Sequence, residues 1–155
     1  MARVLVTGMS GTGKSACLQI LASRGYCSVD TDTDEWSTWV TQSDGSVDWI
    51  WREELMDALL AKYEHGQLFV AGCKTNQGKF YSSFDHVVLL SAPAAVILER
   101  VANRSTNPYG KSYAERREIL RYLSEIEPRL RETATIEIDT TAPLIDVVDL
   151  LQRLA

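Results

Sequence analysis

The sequence predicts an α/β fold: a mainly parallel five-stranded sheet with helices over both faces. Three observations predict it. Five short apolar runs recur at ARVLVT (2–7), YCSVD (26–30), QLFVAG (67–72), HVVLLS (86–91) and TIEID (135–139). Helical patterns separate these runs, and such strand–helix alternation builds parallel sheets. The chain's 155 residues suit one domain, enough to bury roughly two-thirds of the unfolded surface without staples. A hydrophobic content of 45% with 24% charged residues fits a globular protein and points to neither disorder nor a fibrous repeat.

The first run leads through GMSGTGKSAC, starting at Gly8, into a helix over 13–23. Cys17, Ile20, Leu21 and Arg24 share one face of that helix, and Gly25 stands where a C-cap belongs. Tyr26 opens the second strand. Residues 31–47 are polar, contain two Trp and an Asp44–Gly45 turn signal, and read as a mobile insertion. A helix is expected from about Asp48 to Glu64, with Trp51, Leu55, Leu59 and Tyr63 as its apolar stripe. Pro93 takes the first position of a helix to about Arg104 that carries Val96, Ile97 and Val101. STNPYGK (105–111) breaks it. Ser112 followed by Glu115 is a capping-box pattern and starts a helix to near Glu132, with a kink expected at Pro128. Pro143 opens the last helix, PLIDVVDLLQRL.

A net charge of −5 argues against nucleic acid as a partner, because backbone binding needs clustered Lys and Arg. Cys17, Cys27 and Cys73 are odd in number and far apart, so they read as reduced thiols of a cytoplasmic protein. His65 and His86 form no ligand cluster, which argues against a transition metal. The apolar run before Gly8 is too short for a signal peptide, and no run reaches membrane-spanning length. No membrane partner is expected.

Gly8, Gly13, Lys14 and Ser15 satisfy GxxxxGK[ST], between a strand and a helix. The motif makes a phosphate-binding loop and implies ATP or GTP. Gly11 adds a flexible point, so that backbone N–H groups of Ser10, Gly11, Thr12, Gly13 and Ala16 can converge on phosphate at the helix N-terminus. Lys14 can bridge phosphate oxygens, and Ser15 is left to ligate Mg²⁺. No NKxD is present for guanine, and CKTNQGK does not supply one. The strands QLFVAG and HVVLLS end in Gly-Cys and Ser-Ala, without the Asp-Glu of a motor ATPase. Asp139 follows IEI, on a strand expected at the sheet edge.

Carboxylates come instead after the second strand, as Asp30, Asp32 and Asp34 in VDTDTDEW. In an extended segment, alternate residues point the same way, so the three invite a cation or a hydroxyl partner. The alternative is an acidic turn in which Asp caps a helix.

Over nearly its whole length the chain resembles the P-loop small-molecule kinases, above all the shikimate kinase and gluconate kinase branch of the nucleoside monophosphate kinase superfamily. The resemblance implies a three-layer α/β/α P-loop NTPase fold with sheet order 2-3-1-4-5. It implies a single kinase domain over 1–155, with an acceptor-binding insertion at about 31–64 and a short lid at about 104–112. Asp30 and Asp32 match the branch's DxD, in which the first Asp supports Mg²⁺ and the second contacts the acceptor. WREEL resembles a segment whose Arg holds the acceptor, here Arg52 beside Trp51. The expected later acid is replaced by Met56 or Asp57. LERVANRSTNPYGKS resembles the lid, which implies Arg100 stacking on the base and Arg104 or Lys111 entering the phosphates. IDTTAP resembles the adenine-side loop, with Thr141, Ala142 and Pro143 lining the base.

The chain also departs from that pattern. AGCKTNQGKF replaces the GGG that seats the ring, and Ile126 stands where an Arg would pair with the shikimate carboxylate. Losing such a charge-assisted bond costs about 1.5–3 kcal/mol, which argues against shikimate. Acceptor contacts are instead expected from Asp34, Lys74, Asn76 and Gln77, beside Trp36, Trp39, Trp49 and Trp51. All four Trp fall in one sixteen-residue window. They either cap the helix expected at 48–64 or form an aromatic wall for a flat or sugar-like acceptor.

Together these readings predict an ATP- and Mg²⁺-dependent kinase acting on a small-molecule hydroxyl, with ATP/ADP and the acceptor as its partners. Lys14, Asp32 and Arg104 are the expected catalytic residues, and Ser15 and Asp30 the metal site. The alternatives are a nucleoside or nucleoside monophosphate kinase, and a nucleotide-binding regulator that transfers nothing.

Overall fold

Strand alternation builds a two-faced core at once. In the computed structural model, which describes Met1–Ala155, the first strand β1 (Arg3–Thr7) sends Val4 and Val6 to one face and Leu5 to the other, all fully buried. The chain continues through α1 (Lys14–Ser23), β2 (Ser28–Asp30), β3 (Ser37–Thr41), β4 (Val47–Trp51), α2 (Glu53–Lys62) and β5 (Leu68–Ala71). A 3₁₀ segment (Gln77–Ser83) leads to β6 (His86–Ser91), α3 (Ala94–Asn103), α4 (Tyr113–Glu125), α5 (Glu127–Thr133), β7 (Ile136–Asp139) and α6 (Leu144–Leu154).

Five strands pair in parallel in the order β2-β5-β1-β6-β7. Counted among the parallel strands alone this is 2-3-1-4-5, as predicted. On one face Val4, Val6, Phe69 and Leu90 pack against Cys17 and Leu21 of α1 and Val147 and Leu151 of α6. On the other, Leu5, Leu68, Val70 and Val87 meet Met56 and Leu60 of α2 with Trp51 and Phe80. Each such side chain contributes about 1.5–3 kcal/mol through burial.

The segment before α2 differs from expectation. Residues 37–51 form an antiparallel hairpin that pairs Ser37 with Trp51 and Trp39 with Trp49. Asp44–Gly45 is its turn, with Gly45 at φ 86. The runs STWVT and VDWIW are β-branched and aromatic, which suits a strand better than a helix. The helix therefore starts at Glu53 and buries Met56 and Leu60, while Leu55 of the expected stripe is exposed. The expected kink at Pro128 is a break between two helices, because Pro sits in the first turn of α5. The Ser112–Glu115 capping box is formed as predicted.

Gly110 turns the chain between α3 and α4 at φ 94, and a Cβ there would run into Val101 and reach within 2.9 Å of Ile119 Cδ1. Gly110→Ala combines overpacking with a strained backbone and is expected to cost about 2–4 kcal/mol in urea denaturation. An unchanged midpoint would show that this turn is not packed as described.

Candidate functional site

The phosphate loop joins β1 to α1, with Gly8, Gly11 and Gly13 all at positive φ. Gly13 is the N-cap of α1, which leaves the helix's first N–H groups free to meet an anion. Thr12 is buried and clips the loop by donating from Oγ1 to the Met9 carbonyl at 2.8 Å. Lys14 lies back across the loop, its Nζ donating to the carbonyls of Gly8 at 2.6 Å and Met9 at 3.0 Å. Burial pushes the Lys14 ammonium below its ordinary range, opposed by Cys73, Asp32 and Asp30. An ammonium desolvated in this way gains strongly from an incoming anion.

Ser15 and Asp30 are brought together: Ser15 Oγ donates to Asp30 Oδ2 at 2.7 Å. The other oxygen of Asp30 accepts from the backbone N–H of Asp32 at 3.1 Å. That bond explains why the three carboxylates do not line one face as expected. β2 ends at Asp30, the carboxylate of Asp30 grips the next turn, and Asp32 and Asp34 project from a bend as exposed residues.

Beside the first turn of α1 a cavity of about 220 Å³ is lined by Ala16, Cys17, Thr140, Ala142, Leu144 and Val147, with Arg100 at its wall. Burial pushes the Cys17 thiol up to about 11, with Arg100 opposing the shift. Arg100 donates to Gly11 O, Thr140 Oγ1 and Thr140 O, tying α3 to the loop and to the end of β7. Thr141 turns away, its hydroxyl donating to Asp139 at 2.8 Å, and Pro143 precedes α6 as its N-cap. Neither lines the cavity, whereas Thr140, which sequence reasoning missed, does. Arg104 reaches over the loop from the end of α3, donating to Ser10 Oγ at 3.3 Å and to the carbonyls of Tyr109 and Asn107. Lys111 is exposed.

On the other side, Lys74 Nζ donates to Asp32 Oδ1 at 2.6 Å and lies 4.1 Å from the centre of the Trp49 ring. Trp49 stacks on Trp39 at 5.9 Å. Three residues expected to touch the acceptor are buried instead. Trp51 is completely enclosed, its Nε1 donating to Thr31 Oγ1 at 2.8 Å. Asn76 closes the free edge of β4, accepting from Trp51 N and donating to Trp51 O, both at 3.1 Å. Gln77 accepts from Lys74 N and donates to Thr7 Oγ1 and Tyr81 OH. The side-chain polar atoms of these three are engaged by other groups of the chain. The tryptophans are divided: Trp36 and Trp51 pack on the core, whereas Trp39 is 65% exposed.

Arg52 is set apart. Its Nε donates to the Asp34 carbonyl at 3.0 Å, and it lines a groove of about 400 Å³ with Thr38 and Ile50. Those residues alternate with Trp39 and Trp49, so the groove opens on the opposite face of the hairpin from Lys74.

A family model described as "AAA domain" matches residues 4–121. The chain belongs to the AAA domain family. No protein of curated function matches its sequence. Solved structures match this AAA domain along almost its whole length. Shikimate kinase from Acinetobacter baumannii, in complex with shikimate, is 18% identical over 99% of this chain and 92% of its own, with a TM-score of 0.67. Shikimate kinase from Bacteroides thetaiotaomicron is 18% identical over 98% and 97%, with a TM-score of 0.66. A gluconokinase from Sinorhizobium meliloti 1021 is 20% identical over 99% and 93%, with a TM-score of 0.57. At these identities the likeness establishes a shared fold: the AAA domain has the P-loop nucleotide-binding fold found in these kinases. No helix is long and apolar enough to cross a membrane.

Proposed function

We propose that this AAA domain moves the γ-phosphoryl group of ATP to a hydroxyl of a small molecule. The observation that carries the reading is the chain of contacts from Ser15 to Asp30 to Asp32, which hangs a second carboxylate from the one beside the phosphate loop. Ser15 and Asp30 offer hard oxygen donors, one hydroxyl and one carboxylate, which suit Mg²⁺ and its waters. Ser15 and Asp30 would hold the ion, which would supply charge neutralisation at the phosphate oxygens.

The loop N–H groups and Lys14 hold the phosphates, and the small apolar cavity beside Ala142 takes the adenine. Arg104, at the edge of a lid over 104–112, supplies a second cation to a transition state that is stabilised almost wholly by positioning and charge. Asp32 orients the acceptor hydroxyl and receives its proton. The new bond forms between that oxygen and phosphorus as the bridging P–O bond breaks and ADP departs. Neither β5 nor β6 ends in a carboxylate, which favours transfer to an acceptor over the water-splitting cycle of a motor.

ADP release from Mg-ATP, measured against hydroxylated small molecules, nucleosides and nucleoside monophosphates, tests the reading. Stimulation at least tenfold over slow hydrolysis is expected with a hydroxylated compound. Hydrolysis indifferent to every acceptor would sink the proposal.

A further inference from the structure

Lys74 is held at both ends. Only 8% of its side chain is exposed, its ammonium sits between Asp32 and the Trp49 ring, and its backbone N–H is tied to Gln77 Oε1 at 2.9 Å. Gln77 is anchored in turn on Thr7, the last residue of β1 before the phosphate loop. Trp39, Trp49, Lys74 and Asp32 thus form one continuous run of contacts from the middle of the hairpin to the carboxylate assigned to the acceptor.

The charge around this run is lopsided. Residues 28–84 carry ten Asp or Glu against four Lys or Arg, while the rest of the chain carries eleven against twelve. The four cations are accounted for. Lys74 is paired with Asp32, Lys79 with Glu53, and Lys62 lies over the Tyr63 ring. Arg52 opens on the groove at the hairpin's opposite face. Among residues 28–84, then, no cation on the Lys74 face is left unengaged, and Lys14 and Arg104, which lie outside that segment, are given to the ATP phosphates in the kinase reading.

We propose that Lys74 is a positioning residue for Asp32 and not an acceptor ligand, and that the acceptor is a hydroxyl compound without carboxylate or phosphate. Amine-bearing polyols are favoured over neutral ones, because an acidic surround concentrates cations. The inference rests on the kinase reading above and gives the four tryptophans a joint role. Two root the hairpin in the core, Trp49 faces the ammonium that sets Asp32, and Trp39 stacks on Trp49.

The test measures ADP release from Mg-ATP with three pools of hydroxyl compounds that share skeletons and differ in charge. One pool holds glucosamine and aminocyclitols, one holds glucose and inositol, and one holds gluconate, glucuronate and sugar phosphates. Turnover is expected in the amine or neutral pool, and turnover on amines is expected to fall as salt rises. Turnover confined to the acidic pool overturns the inference and leaves the kinase reading intact. ADP release in no pool, with ATP still bound, overturns the kinase reading itself.

With the active compound, Lys74→Met is expected to lower kcat about a hundredfold and to hold KM for ATP within about threefold of wild type. Lys74→Arg and Trp49→Phe should each recover at least a tenth of the wild-type rate. Trp49→Leu, which removes the support from Lys74 without touching it, should lose rate as Lys74→Met does and decides the matter if the latter misfolds. A Lys74→Met variant that keeps kcat and raises only the acceptor KM would make Lys74 an acceptor ligand and overturn the proposal. The circular dichroism of the stacked Trp39–Trp49 pair reports whether the hairpin is folded in Lys74→Met and Lys74→Arg.

Discussion

Asp32→Asn is expected to remove phosphoryl transfer and leave nucleotide binding in place, whereas Lys14→Ala should lose both. Asn keeps the shape of Asp32 and an oxygen for Lys74 Nζ, which sits 2.6 Å away, but it cannot take a proton. Loss of a positioned base or orienting carboxylate lowers kcat by about 10²–10⁴. The Asp32 side chain is hydrogen-bonded to Lys74 and to no residue of the phosphate loop, so calorimetric titration should return an ATP affinity within about threefold of wild type. Lys14 is different because its ammonium is already desolvated over the loop carbonyls. Losing a charge-assisted contact to phosphate costs about 1.5–3 kcal/mol, roughly one to two orders of magnitude in affinity, before any effect on rate. Full turnover by Asp32→Asn in a single-turnover assay would remove Asp32 from the chemistry.

Trp51→Ala should be the most destabilising single change in the hairpin. Trp51 is the largest fully buried side chain, it packs on Phe80 at 5.7 Å, and it bonds Thr31 through its indole N–H. Truncating a buried Trp costs about 3–5 kcal/mol, a large part of a domain's total stability of 5–15 kcal/mol. Trp51→Phe keeps most of the packing and loses the bond to Thr31, so about 1–2 kcal/mol is expected. Gly72 shows how closely the site is built: a Cβ there would run into Thr31 Oγ1 and come within 3.2 Å of Trp51 Nε1. Urea denaturation checks the order of the two variants. A Trp51→Ala midpoint equal to that of wild type would mean that the hairpin is not rooted in the core.

Much of this was legible in the chain because it is local. The five buried strands announce themselves as short apolar runs, and GxxxxGK[ST] is contiguous, so Gly8 to Ser15 were found as one unit. Asp30 was legible because it closes a strand beside that loop. The hairpin was missed for a physical reason. Trp51, Leu55, Leu59 and Tyr63 fall at helical spacing, while the alternation of STWVT and VDWIW has period two, and burial against Phe80 and Met56 let the second pattern prevail at Trp51. An Asp-Gly pair between two β-branched, aromatic runs was the signal that would have found it.

Asn76 and Gln77 were misread because a polar residue on a loop after a strand looks the same in sequence whether it faces a ligand or satisfies a backbone. Only the fold shows that Asn76 meets the bare edge of β4 and that Gln77 reaches Thr7, 70 positions away. Lys74 and Asp32 are 42 positions apart and Lys74 and Trp49 are 25 apart, so no spacing rule joins them.

Local periodicity, a contiguous motif and a family resemblance built on such motifs were enough to read the parallel sheet, its order and the phosphate loop from the chain alone. Which cation belongs to which carboxylate, and which tryptophan meets solvent, became visible only in the folded chain. Those choices depend on distances between segments that chain connectivity leaves open and that only packing of the hairpin against the sheet closes.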